Sequence, residues 1–462
     1  MNLRSITIVL YSLVLCISCK KFVQIPNAKN QISGTAVFAD SADATAAVLG
    51  MYITIMNSTS ISTPLNGQVT QYAGMSADEL APTDLSSSDV QFYQNALTRN
   101  SNSFTFWQNG YSLIYQANAC IEGLTASTGL DSSVKHQLLG EAKLMRALNY
   151  FHLVNLFGPV PLVTGTDYKI SEHLPRVSED SIYSQIIADL IDAQNLMTAT
   201  YVTGSKARPN KYAALALLSK VYLYRKQWDK SEAAATQIIS SGAYSIVPDL
   251  NAVFLANSEE AIWQLRPVIE GYSTPEGSTF VVVGNYSPPP YVITDFLLHS
   301  FEDNDQRRVS WVDSIEVDNQ FYYFPYKYKS GYTGNSSPDE NYMVFRLGEL
   351  YLIRAEARAQ QTGKLADAVA DLNVIRGRAG LAGSAFPDAS AALTAIQHER
   401  QIELFCEWGN RWYDLKRTGT ANTLMPAICQ AKGGTWSSNW LLYPVPFSEI
   451  QRNPVLLQNE GY

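Results

Sequence analysis

Two stretches of this chain can be laid on each other residue for residue, and that repetition limits the fold more than any other feature. From Met343 to Gly380 the sequence reads MVFRLGELYLIRAEARAQQTGKLADAVADLNVIRGRAG. Leu350, Ile353 and Ala357 form one apolar stripe at a period near 3.6, and after Thr362-Gly363 a second runs through Leu365, Ala368, Leu372 and Ile375. This spacing predicts a helix, a tight turn and a returning helix. The segment from Ala213 to Gly242 repeats it, setting Trp228 on Leu365, Ser231 on Ala368, Ala235 on Leu372 and Ile238 on Ile375 at one shared offset. Alanines at the closest approach let the backbones come near, as in the helix pairs of tetratricopeptide arrays. With looser helices upstream, the pattern predicts a mainly α chain, a tetratricopeptide-like helical repeat scaffold of about four helix pairs interrupted by long insertions.

Helical periodicity also covers Ser41 to Met56, Phe104 to Leu124 and Val134 to Phe157, the last stopped by Gly158-Pro159. Ser178 is the expected N-cap of another helix, with Glu179 and Asp180 in its first turn. From 57 to 102 Ser, Thr, Asn, Gly and Pro are dense and periodicity is lost, which predicts a long functional loop. A larger irregular, loop-rich sub-domain is expected over 247–341, with AIWQLR and TFVVVG as short strands followed by a tyrosine-rich run. Ala391 to Gly419 reads as one long helix carrying Glu399, Arg400, Glu403 and Glu407, and the proline-studded end as an extended strap with a short helix at Ser448 to Arg452.

The first residues belong to targeting. Met1 to Arg4 is a short positive region, Ile6 to Leu15 is apolar but too short to span a membrane, and Cys16-Ile17-Ser18-Cys19 closes it. This resembles a bacterial lipoprotein signal with Cys19 as the acylated residue; the alternative is an ordinary secretory signal cleaved nearby. The expected organisation is a signal peptide (1–18), a lipid-anchored tether (19–34), an N-terminal helical part (35–246) with the loop 57–102, the irregular sub-domain (247–341), and a C-terminal helical part with its strap (342–462). Cys120, Cys406 and Cys429 remain in the mature chain, too few for a disulfide framework and spaced like no zinc site; Cys120 and Cys406 are expected to be small core residues in helical surroundings.

A net charge of −8 with no basic stripe argues against nucleic acid as a partner. The chain has no G-x-S-x-G elbow, Walker loop, dinucleotide fingerprint or H-E-x-x-H. No cofactor or metal is therefore expected. Glu399, Glu403 and Glu407 would share one helical face and could be read as a glycosidase acid pair. The cations Arg400, Arg411, Lys416 and Arg417 around them favour an ion-pair network, because such neighbours keep carboxylates ionised.

Read together, Gly140 to Leu162 (GEAKLMRALNYFHLVNLFGPVPL), Leu174 to Leu190, FRLGELYLIRAEA with DLNVIRGRAGL, Glu399 to Arg417 (ERQIELFCEWGNRWYDLKR) and the closing YPVPFSEIQRNPVLLQNEGY resemble the SusD/RagB family across nearly the whole chain. The resemblance implies a non-catalytic, lipid-anchored protein of the outer-membrane surface. It implies capture of oligosaccharides, or of peptides in some members, for a TonB-dependent SusC-like barrel. In the matching motifs Arg146, Arg354, Arg376, Arg400 and Arg411 read as ion-pair and helix-packing residues. The motifs transfer no ligand residue. Rings beside amides and charges suggest Phe92, Tyr93, Gln94, Asn95 and Arg99 in the long loop, and Tyr272, Asn285, Tyr286, Tyr291 and Tyr332 in the irregular sub-domain. For each ring the alternative is packing within its own loop. Trp107, Trp263 and Trp412 fall in periodic elements and are expected in the core.

Overall fold

A computed structural model of the chain describes residues 37–462 apart from 102, 283, 285, 286, 333 and 335–338; Cys19 and the tether lie outside them. The helix starts are set by polar side chains. Helix α1 (Ser41–Met56) is capped by Asp40; after α2 (Ser103–Ala126), α3 (Ser132–Phe157) is capped by Asp131, α4 (Glu179–Leu196) by Ser178 and α5 (Lys211–Tyr224) by Asn210. In each case the side-chain oxygen accepts first-turn N–H groups that a helix leaves unpaired.

Helices α6 (Trp228–Ile239) and α8 (Leu365–Arg378) begin on the two residues that the repeat aligned, opposite α5 and α7 (Leu347–Ala359). The long helices pack in order from α2 to α6, and α6 then packs on α7 although the whole irregular insertion lies between them in sequence. Small residues make the close contacts: Ser231 is fully buried and its hydroxyl donates to Ser219 O at 2.8 Å. Ala355, Ala359 and Ala368 line a core shared with α9 (Ala389–Glu403).

The expected arginines tie elements together. Arg146 is bidentate to Asp189 (2.8 and 2.6 Å), joining α3 to α4, and Arg354 to Asp371 (2.9 and 2.7 Å), joining α7 to α8. Arg376 bonds Glu302, Arg400 bonds Asp414 at 2.7 Å, and Arg411 bonds Asp78 at 2.8 and 2.6 Å.

Among the described residues the strands form four antiparallel pairs: β1 (Leu80–Pro82) with β5 (Tyr291–Ile293), β2 (Val160–Pro161) with β3 (Arg176–Val177), β4 (Ala261–Leu265) with β8 (Tyr342–Arg346), and β6 (Val312–Val317) with β7 (Gln320–Pro325). β4 and β8, buried throughout, form the neck through which the insertion leaves and re-enters the scaffold.

Three expectations are corrected. Segment 57–102 does not project as a loop. From 64 to 80 it runs inward through short helical turns to β1, and its Leu65, Val69, Ala73, Met75 and Leu80 are fully buried. Its polar residues replace the missing periodicity: the Asn66 side chain accepts from Ser62 and Thr63 N–H and donates to Ile55 O. The expected strand TFVVVG begins instead as the end of a helix: Thr274 and Pro275 start a helix over Pro275–Phe280, with Thr274 Oγ1 accepting from Gly277 N at 3.0 Å, and Val281 and Val282 join no strand. The long C-terminal helix is broken: α9 ends at Glu403 and α10 (Asn410–Arg417) starts after Cys406, Trp408 and Gly409 take φ of 49°, 51° and 67°. Cys406 is buried as expected, but in this break and not in a helix. Trp408 holds the break by donating its backbone N–H to Thr70 Oγ1 (2.9 Å) and its indole N–H to Met343 O (2.7 Å).

Candidate ligand-binding face

β1 and β5 join the two irregular segments, with Leu80 opposite Ile293, Ala81 opposite Val292 and Pro82 opposite Tyr291. Thr294 N donates to Glu79 O at 3.0 Å and Thr83 N to Pro290 O at 3.1 Å, extending the seam at both ends. Two regions more than two hundred residues apart thereby share one surface.

At that seam Tyr291 donates its hydroxyl to Asp89 Oδ2 at 2.6 Å and accepts from Gln71 Nε2 at 2.6 Å. The ring of Tyr72 stacks on Phe92 with centroids 4.2 Å apart. Tyr93 lies one turn beyond Asp89, with Lys432 Nζ 4.9 Å from its ring centroid. Tyr72, Tyr93, Asp89 and Tyr291 are all half-buried. Burial first, and then the Asp89 carboxylate, push the Tyr72 and Tyr291 phenols up; burial and Asp295 do the same for Tyr93. The three hydroxyls therefore keep their protons, and that of Tyr291 is spent on Asp89. Phenol rings offer apolar faces to sugar C–H groups and the Asp89 carboxylate offers an acceptor to hydroxyls, while the buried Gln71 amide donates to both Asp89 and Tyr291 and holds them in place.

The other sequence candidates divide. Phe92 is fully buried and packs edge-on against Tyr443 and Phe106, so it is the floor under Tyr72 and not a platform. Asn95 is buried at φ 52° and donates to Ser76 O at 3.0 Å. Gln94 donates to Lys432 O at 3.3 Å, and the Arg99 guanidinium lies 4.5 Å from the Phe447 ring, so both fasten the segment to the C-terminal part. Tyr272 and Tyr332 pair with each other, edge to face at 5.3 Å, with Tyr332 64% exposed. Asn285 and Tyr286 lie outside the described residues. Gln71, Tyr72 and Asp89 were not singled out in the sequence; no motif marks them, since only the β1–β5 seam brings them to Tyr291. Trp107, Trp263 and Trp412 are in the core.

Glu399, Glu403 and Glu407 form the expected ion-pair network, but with other partners. The cations come from the insertion, β8 and α8: Arg307 reaches Glu403 at 3.0 Å and Glu399 at 2.5 Å, Arg346 reaches Glu407 at 2.8 Å, Lys327 reaches Glu407 at 2.5 Å, and Arg378 also bonds Glu403. Burial would raise Glu403, yet Arg378, Arg346 and Arg307 overcome it and hold its carboxyl well below the usual range. Arg346 and Lys327 do the same for Glu407, whereas burial leaves Glu399 raised despite Arg307. All three glutamates are enclosed, so a substrate would have to displace arginines to reach them. Of the cations expected, Arg400 and Arg417 instead bond Asp414, Arg411 bonds Asp78, and Lys416 donates to Asn155 O.

The architecture is a helical-repeat scaffold that holds a loop-built face of tyrosines around a carboxylate. Known proteins share the scaffold. The family model described as SusD family matches residues 307–462, and one described as starch-binding associating with outer membrane matches residues 37–223. A SusD-like protein of Formosa agariphila is 26% identical, with 100% of both chains covered. A SusD superfamily structure from Parabacteroides distasonis superimposes with a TM-score of 0.77 at 24% identity, covering 91% of this chain and 99% of that one. Surface glycan-binding protein A from Bacteroides thetaiotaomicron, solved in complex with laminarihexaose, superimposes with a TM-score of 0.76 at 20% identity, covering 91% and 99%. The chain belongs to the SusD family.

Proposed function

We propose that this protein is a non-catalytic receptor of the outer-membrane surface. Acylated at Cys19, it captures an oligosaccharide on Tyr72, Tyr93 and Tyr291 around Asp89 and passes it to a TonB-dependent SusC-like barrel. The observation that carries the capture step is the β1–β5 seam, which gathers three protonated, half-buried phenols, a carboxylate and an amide at one place. Family membership supports it, as do the starch-binding description of the matched model and the laminarihexaose bound by a structural relative. The anchor rests on the N-terminal pattern, and the barrel partner on the family resemblance. The enclosed state of Glu399, Glu403 and Glu407 weighs against the glycosidase alternative.

Calorimetric titration of the mature protein against panels of oligosaccharides and peptides tests the reading. Oligosaccharide binding is expected, and Asp89→Asn with Tyr291→Phe should weaken it by roughly thirtyfold, since each removes a hydrogen bond worth about 1 kcal/mol. Binding restricted to peptides would make this a peptide receptor instead.

A further inference from the structure

We infer that the outer face of α2 is a second carbohydrate-binding site, separate from the Asp89 face; this rests on the reading that the protein binds glycans. Trp107, Tyr111 and Tyr115 recur every fourth residue, so they rise along the helix in steps of about 6 Å on one face. They line a cleft of about 530 Å³, well inside the roughly 300–1,000 Å³ of small-molecule sites. The rings grade from wall to lip. Trp107 is 3% exposed and fixed edge-on against Phe157 at 5.2 Å; Tyr111 is half-buried with its hydroxyl donated to Pro161 O at 2.8 Å; Tyr115 is 56% exposed. Tyr115 also borders a second cleft of about 700 Å³ that continues along α2 toward Gly123 and Phe38. The two clefts form a trough with room for a chain of several sugar units.

The opposite wall, residues 161–166, is pinned by α2 itself. Asn118 donates to Val163 O (3.0 Å) and Gly165 O (3.2 Å), and Glu122 accepts from Thr166 N (2.9 Å) and Thr166 Oγ1 (2.6 Å). A wall already held in place pays no ordering cost on binding. Its rim favours a saccharide over a purely apolar occupant. Gln108 presents an exposed amide, and Arg452 with Glu449 forms a rim pair at 2.6 Å. An apolar partner would strip water from these groups without repaying their hydrogen bonds, whereas sugar hydroxyls can donate to and accept from them.

The experiment titrates the full mature protein with laminarihexaose and maltohexaose and runs it through gels containing laminarin or starch. The Asp89→Asn/Tyr291→Phe protein is expected to keep a weaker residual site. Adding Tyr115→Ala should weaken that residue of binding by about tenfold or more, while Tyr115→Phe retains it. Tyr115 is exposed, so an unchanged melting curve separates site loss from misfolding. Binding that Tyr115→Ala leaves untouched in both the wild type and the Asp89→Asn/Tyr291→Phe protein overturns the inference, as does a wild type with a single site that Asp89→Asn/Tyr291→Phe weakens; either leaves the Asp89 receptor reading standing. A wild type that binds no glycan on an array overturns both.

Discussion

Glu79 and Glu276 are fully enclosed carboxyls, and both are pushed up to about 8, by burial first and, for Glu79, by the neighbouring Asp78. Their ordinary value is 4.5, so in the window between the folded chain binds more protons than the unfolded chain. Their contribution to stability is therefore complete below the ordinary value and is lost as pH rises through about 8. Glu79→Gln, which keeps an oxygen for the Cys406 N–H, should flatten the alkaline loss and stabilise the protein at pH 9 by on the order of 2 kcal/mol, read from melting temperature against pH. Arg346 has the opposite dependence on its partners. It is 1% exposed and bonded to Glu403 and Glu407, so Arg346→Met should cost about 3–5 kcal/mol by leaving buried carboxylates short of a cation, measured by denaturant unfolding.

At the scale of elements, the break between α9 and α10 is the feature that periodicity misread. Gly409 sits at φ 67°, and a Cβ there would lie 2.9 Å from Ala73 Cβ and 3.0 Å from Val69 Cγ1. Gly409→Ala should therefore destabilise by at least about 1–3 kcal/mol, through backbone strain and the clash with segment 57–102 together, as calorimetric unfolding would show. The apolar residues of Ala391 to Gly419 keep a helical spacing across the break, which is why the sequence reads as one helix. The break exists because Trp408 finds Thr70 and Met343, partners that no local pattern announces. By contrast Ser178 caps α4 with its hydroxyl accepting from Ser181 N at 3.2 Å, a local signal legible in the sequence, as were the apolar stripes of the two aligned hairpins.

For the whole molecule the seam between β1 and β5 matters most, since it joins the buried segment 57–102 to the insertion. Thr294 serves it twice: its hydroxyl donates to Asp78 O and accepts from Leu297 N at 3.3 Å. Thr294→Val should loosen both segments at once. Hydrogen exchange is expected to quicken in 64–82 and 291–298 together while α5 to α8 stay protected, and oligosaccharide affinity should fall with it. Exchange confined to one segment would show that the seam does not couple them. The candidate face was legible only in part for the same reason. Tyr93 and Tyr291 stood out as rings in polar loops, but Phe92, adjacent to Tyr93, could not be told from it until the interior claimed it.

By itself the sequence determined the helical repeat and the Ser178 cap, because these depend on residues within a few turns of one another or on stripes that must be buried. The tertiary structure alone decided which cations neutralise Glu403 and Glu407, where the last long helix breaks, and which tyrosines meet Asp89. Those depend on contacts between segments far apart in sequence, and spacing along the chain carries no record of such distances.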